Sequence, residues 1–215
     1  MTYDNKRPAY SIVIAVHDDA QLLRTNLPVF LNQEYEGDYE VIVVDECSED
    51  DTADVLDLLR SDYPKLYTTF LPQYQFQNRR RRLALTIGVK AAKQGWIVFA
   101  DINTPPPSGQ WLQELSEYTD TSTELLLGYI NPKKGTVRLQ AFSQVSQAST
   151  LVSITERGRV NGHQGKLLRY LRGKYDFMVV RSVKAHEALR LFDCDVRGMK
   201  YLAKRISSMF YNLFH

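Results

Sequence analysis

Cysteine is nearly absent: Cys47 and Cys194 are the only two in 215 residues. Two thiols build no disulfide framework, so a stapled secreted mini-domain is excluded and a reducing compartment is expected. Long apolar runs are absent too. The longest candidates are segments such as Val41 to Val44 and Leu125 to Leu127, far short of the roughly 18 residues that span a bilayer. Ile12 to Val16 is too short for a signal-peptide core. The expected location is therefore the cytoplasm, with any membrane contact made at its inner face. Nor is there an excess of one charge: 27 Lys+Arg stand against 25 Asp+Glu, a formal net charge of +2, which gives no ground for a nucleic-acid partner. Phosphate-cradling motifs are missing as well. No GxxxxGK[ST] loop occurs, and no GxGxxG follows the first apolar run, which disfavours P-loop and dinucleotide-binding enzymes.

What is present is alternation. Short β-branched runs at Ser11 to Val16, Glu40 to Val44, Leu66 to Phe70 and Trp96 to Ala100 are separated by stretches of helical spacing. Those stretches run from Ala20 to Gln33, onward from Asp51, and from Asn78 to Lys93. This pattern predicts an α/β fold with a mainly parallel sheet between helices. Thr104 to Gly109, with Pro105, Pro106 and Pro107, reads as a stiff loop. Beyond it the pattern predicts a helix over 110–118, a strand over 125–129, a long helix over 139–154, a loop over 157–165 and a strand over 175–180. With no repeat or linker, residues 1–195 read as one domain. Residues 196–215 read as an amphipathic helical tail, with Met199, Leu202, Ile206, Met209, Phe210 and Leu213 on one side.

In open parallel sheets, ligands bind beyond the carboxyl ends of the strands. Those ends are acidic here: His17-Asp18-Asp19, then Asp45-Glu46-Cys47-Ser48-Glu49-Asp50-Asp51-Thr52, then Asp101-Ile102-Asn103. Such an edge repels bare phosphate, so a phosphorylated ligand needs a cation between, or contacts through its base or ribose. Asp50 or Asp51 is expected to cap the following helix. Arg79 to Arg82 place four cations at the positive end of a helix, which is unfavourable and leans toward an anionic ligand. Cys47 and Cys194 read as small buried fillers.

Tyr10 to Asp19, the helix ending Leu31-Asn32-Gln33-Glu34-Tyr35, and Tyr39 to Asp45 together resemble the opening of family 2 glycosyltransferases, which have the GT-A nucleotide-diphosphosugar fold. Ser48 to Thr52 resembles that family's serine-threonine-aspartate turn. Asn78 to Ala92 resembles its second signature, and Trp96 to Asn103 stands where its DxD motif stands. The likeness covers about residues 10–115.

The resemblance implies an inverting transfer of sugar from a nucleotide diphosphosugar, a UDP-sugar being favoured, to a glycan or lipid-linked hydroxyl in envelope or surface glycan synthesis. It implies a donor site of Ala15, His17, Asp45, Arg81, Arg82 and Asp101, with Asp45 on the base and Asp101 on the ribose. Mg²⁺ or Mn²⁺ would be held by Asp101 and Asn103, the latter replacing the usual Asp. The family's Asp-Gly step after strand two reads Glu46-Cys47 here. Its Glu-Asp pair, which supplies the general base, has no counterpart between Gly128 and Asp176, leaving His163, Glu187 and Asp193 as substitutes. The alternative from another class is a catalytically silent module that binds a nucleotide sugar or a partner protein. The tail's apolar face and its cations Lys200, Lys204 and Arg205 suit either a peripheral membrane contact or packing on the protein itself.

Overall fold

β1 (Tyr10–Val16) is buried at every position, as only a central strand covered on both faces can be. Its side chains alternate between two cores. Ile12, Ile14 and Val16 join Leu23, Leu27, Phe30, Trp111 and Phe177 on one face, while Val13 and Ala15 join Ile42, Ala84, Leu85 and Val89 on the other. The computed structural model describes residues 7–71, 80–131, 134–145 and 175–191.

Around β1 run α1 (Ala20–Leu31), β2 (Tyr39–Asp45), α2 (Thr52–Asp62), β3 (Leu66–Phe70), α3 (Arg80–Ala91) and β4 (Trp96–Ala100), followed by α4 (Trp111–Ser116). The chain continues with β5 (Leu125–Asn131), β6 (Thr136–Phe142), β7 (Phe177–Arg181) and α5 (Ala185–Leu191). The seven strands lie in the order β3-β2-β1-β4-β7-β5-β6. β1 to β4 are parallel, and β7 pairs antiparallel with both β4 and β5. The chain winds outward from β1 to β3, then returns through α3 to lay β4 on the other side of β1. The switch point between β1 and β4 is the crevice where such sheets take ligands. Trp111 closes the opposite core, edge-on to Phe30 at 6.1 Å and to Phe177 at 4.9 Å.

The helix expected over 139–154 is not what the chain forms at its start. Residues 136–142 are β6, paired with β5 from Asn131↔Thr136 to Leu125↔Phe142. The hairpin turns at Gly135, whose φ of 60° is a conformation glycine adopts without steric cost. Leu139, Phe142 and Val145 mimic helical spacing, but pairing with β5 satisfies the backbone. The strand expected over 175–180 is present, shifted to Phe177–Arg181. α5 follows it and was not expected. The loop over 157–165, the tail over 196–215, the 195/196 boundary, and His163, Asp193 and Cys194 lie outside the described residues.

Candidate functional site

Register places the acidic residues. Asp45 ends β2 opposite Val16 of β1 and Phe70 of β3. Asp101 follows Ala100, which pairs with Ile14. Both carboxylates therefore stand at one edge, on either side of the β1 end, and both are buried. The Asp45 Oδ1 accepts hydrogen bonds from the Ser48 amide at 2.9 Å and the Ser48 hydroxyl at 2.6 Å.

Two loops wrap this edge. His17-Asp18-Asp19 turns through Asp18 at φ 51°, and Glu46-Cys47-Ser48 turns through Cys47 at φ 68°. The two interlock: the Asp18 amide donates to the Ser48 hydroxyl oxygen at 2.9 Å, and the Glu49 amide donates to Asp18 Oδ1 at 2.8 Å. Cys47 is thus a half-buried turn residue in the left-handed region, not a core filler. A glycine would sit there without the steric cost a side chain incurs. Helix capping falls to Asp50, whose two oxygens take the Thr52 amide and the Ala20 amide, while Asp51 makes no side-chain cap. The His17 Nε2 lies 3.5 Å from Asp18 Oδ2. Its Nδ1 is buried with no hydrogen-bond partner among the described residues.

Arg81 crosses the switch point. From the first turn of α3 its guanidinium donates to the Ala15 carbonyl at 3.2 Å. It also lies 3.7 Å from Glu46 Oε1 and 3.5 Å from Asp101 Oδ2, with its side chain 15% exposed. One cation thereby ties together the ends of β1, β2 and β4. The unfavourable charge at the start of this helix is offset, for Arg81, by carboxylates of the chain itself. The Arg82 side chain is half-buried, and Arg79 lies outside the described residues. Ala15 enters the site only through its carbonyl, because its side chain is buried in the core.

Asp101 is held from its other side. Its Oδ1 accepts the Asn103 amide N–H at 3.0 Å and the Asn103 Nδ2 at 2.8 Å. With its Nδ2 on Asp101, the exposed Asn103 keeps its amide oxygen as an oxygen donor. Among the described residues no group of three His, Cys, Asp or Glu could hold a metal ion. The donor set is thus one carboxylate and one amide oxygen. This fits a hard divalent cation whose remaining ligands are water and substrate phosphate, the usual manner of Mg²⁺, and does not fit a cation caged by protein alone.

Beside Asp101 a pocket opens between the end of β4 and the start of β7. Arg81, Asp101, Tyr175 and Asp176 line it, with Leu85 and Met178 among its apolar walls. Asp176 is not among the residues that follow the parallel strands, and nothing in its sequence neighbourhood marks it. β7 is antiparallel, so its preceding residue is the one that reaches this edge. Glu187 is not brought into the pocket: it is exposed on α5 and pairs with Lys184 at 3.3 Å, and Leu189 lines the pocket instead.

A parallel sheet with an antiparallel strand beyond β4, and carboxylates at its switch point, defines a nucleotide-sugar transferase type of architecture. The model of glycosyl transferase family 2 matches residues 11–172, more than half of the chain, and the chain belongs to that family. Its fold is GT-A. Among solved structures it is similar to the mannosyltransferase PcManGT from Pyrobaculum calidifontis in complex with GDP-Man and Mn²⁺. The identity is 19% and the TM-score 0.52, over 61% of this chain and 38% of that one. S. aureus TarS 1-349 in complex with UDP-GlcNAc matches at 17% identity and a TM-score of 0.44, over 83% of this chain and 47% of that one. The chain spans less than half the length of both. Among curated protein sequences there is no match.

Proposed function

We propose that the chain transfers a sugar from a nucleotide diphosphosugar to an acceptor hydroxyl with inversion at the anomeric carbon. The observation that carries this reading is the convergence of Glu46 and Asp101 on Arg81 at the β1/β4 switch point, with Asp45 ending the neighbouring β2 at the same edge. In this reading Asp45 accepts from the N–H of the nucleotide base and Asp101 from the ribose hydroxyls. His17 packs beside the base, and Arg82 meets the diphosphate. A UDP-sugar is the favoured donor, and PcManGT's GDP-Man makes GDP-sugars the next to try. Mg²⁺ or Mn²⁺ would be held by Asp101 and Asn103, where it would neutralise charge on the departing diphosphate.

A glycan or lipid-linked acceptor in envelope or surface glycan synthesis, met at the inner face of a membrane through residues 196–215, completes the proposal. Among the described residues no helix is long and apolar enough to cross a membrane. Flotation with anionic vesicles tests it: full-length chain that stays in the soluble fraction at low salt rules the contact out.

Donor binding is tested by thermal unfolding with UDP-, GDP- and dTDP-sugars, with and without Mn²⁺, because a ligand of the native state raises the midpoint. One nucleotide class should stand out. Asp45→Ala should then weaken its binding at least tenfold, about 1.4 kcal/mol, by calorimetry. Unchanged affinity would move the base to another residue. A chain that binds nucleotide sugar yet transfers to no acceptor would favour the silent-module alternative.

A further inference from the structure

The reaction proposed above needs a group that takes the acceptor's proton, and of the residues singled out from the sequence for that part only Glu187 falls among the described residues, where it does not line the pocket beside Asp101. Glu187 is exposed and paired with Lys184, and His163 and Asp193 lie outside the described residues. The structure offers another carboxylate.

β4 and β7 run antiparallel with Phe99 opposite Met178. Continuing that register by two residues sets 176 opposite 101, on the same face of the sheet as Phe99 and Met178. Both residues line one pocket together with Arg81. The two carboxylates are nonetheless differently engaged. Asp101 is bonded through Oδ1 to Asn103 and faces Arg81 through Oδ2. Asp176 is anchored by one oxygen alone: its Oδ2 accepts the Ile130 amide at 2.8 Å, while its own amide donates to the Gly128 carbonyl at 2.8 Å. Its Oδ1 has no hydrogen bond among the described residues. Tyr129 stands close by, its hydroxyl pushed up by burial and further by the charge of Asp176. A carboxylate with a fixed backbone, one oxygen clamped, the other without a hydrogen bond among the described residues, and a place in the wall of the pocket that Asp101 also lines has the attributes of a positioned base.

We propose that Asp176 is the proton acceptor of sugar transfer. The acceptor oxygen forms its bond to the anomeric carbon. The bond from that carbon to the diphosphate breaks, and its electron pair leaves with the nucleoside diphosphate. The acceptor proton passes to Asp176 Oδ1. This assignment rests on the sugar-transfer reading above.

The test uses the full chain and two variants. Asp176→Asn keeps an oxygen for the Ile130 amide and removes the basic one, and Asp176→Glu restores a carboxylate. UDP and GDP affinities are measured by calorimetry. Turnover is measured as UDP release from UDP-GlcNAc and GDP release from GDP-Man, with a panel of p-nitrophenyl glycosides as acceptors. Asp176→Asn should lower kcat about 10²-fold or more, the range of a lost general base, with nucleotide affinity and unfolding midpoint unchanged. Asp176→Glu should recover part of that loss. An Asp176→Asn variant that keeps more than a third of wild-type kcat overturns the assignment. So does one whose nucleotide affinity falls in step with kcat, which would make Asp176 a donor-positioning residue. Wild-type chain that binds nucleotide but shows no transfer overturns the base assignment and spares the binding site. Wild-type chain that binds neither nucleotide overturns the reading beneath both.

Discussion

Replacing Arg81 with methionine would remove a guanidinium 3.7 Å from Glu46 and 3.5 Å from Asp101 while keeping most of the apolar stem. At an effective dielectric near 20, each pair corresponds to about 4–5 kcal/mol of raw Coulomb attraction. Desolvation of three charges opposes that gain, and both separations exceed the about 2.7–2.9 Å of a strong charge-assisted bond. What remains after the substitution is the larger issue. The Glu46 and Asp101 side chains, 10% and 6% exposed, would face each other without this cation, and the Ala15 carbonyl would lose its donor. Breaking a buried ion pair by removing one partner costs about 3–5 kcal/mol. The long contacts and the 15% exposure of Arg81 place Arg81→Met at the lower end, about 3 kcal/mol.

Urea unfolding followed by tryptophan fluorescence measures this effect, since Trp96 and Trp111 are both buried in the core. The midpoint should fall with an unchanged slope. The informative control is the triple variant Arg81→Met, Glu46→Gln and Asp101→Asn. Two carboxamides need no cation, so its loss should shrink to under about 1 kcal/mol. A single variant that loses less than about 1 kcal/mol, or a triple variant as unstable as the single, would refute the reasoning that this arginine is the internal counter-charge of the site.

Asn103→Asp should tighten Mn²⁺ binding in the presence of nucleotide, because a carboxylate replaces an amide as oxygen donor; a titration with no metal dependence in either form would leave Asn103 a turn residue only. Gly128→Ala should destabilise by about 1–3 kcal/mol, since a Cβ there would lie 2.0 Å from Phe177 Cζ; an unchanged urea midpoint would contradict this. Tyr35 is pushed up to about 12, chiefly by burial and against the pull of Arg7, and burial raises Tyr10 further. The native state then holds these protons at a pH where the unfolded chain has lost them. Their contribution is fully present below the ordinary tyrosine value near 10 and is lost as pH rises through 10 to 12. Unfolding midpoints measured from pH 8 to 12 should fall above pH 10, and less steeply in Tyr10→Phe/Tyr35→Phe; identical slopes would sink the assignment.

The central strands were legible because burial on both faces forces unbroken β-branched runs. Tyr10–Val16 and Tyr39–Asp45 extend the expected 11–16 and 40–44 by one residue at one or both ends. The edge hairpin was not legible. β6 is half exposed, and the spacing of Leu139, Phe142 and Val145 satisfies a helix as well as a strand. Only the pairing with β5 decides between them, and pairing is non-local. The same division runs through the site. Asp45 and Asp101 follow parallel strands, so position in the sequence already implies the ligand edge. That Arg81 turns inward depends on the phase of α3 over β1, where Gly88 allows close approach: a Cβ there would lie 2.3 Å from Val13 Cγ1. Asp176 comes to the edge only because β7 is antiparallel, a fact of topology that a list of strand ends does not contain.

The acidity of this edge looks different once its partners are counted. Asp18, Asp19, Asp45 and Asp50 each accept at least one backbone amide of the two interlocked loops, so much of the cluster serves to fix the loops. Such bonds also supply the donors that charged oxygens need when taken from water. Beneath those loops, Glu46 and Asp101 both face the Arg81 guanidinium. In the proposed reading their carboxylate oxygens, with those of Asp45, would be acceptors for the N–H of a base and the hydroxyls of a ribose. In that proposed reading a nucleotide sugar would lie with its nucleoside over β1 and β2. Its diphosphate would then reach toward the start of α3 and Asn103, and its sugar toward the pocket that Asp176 lines.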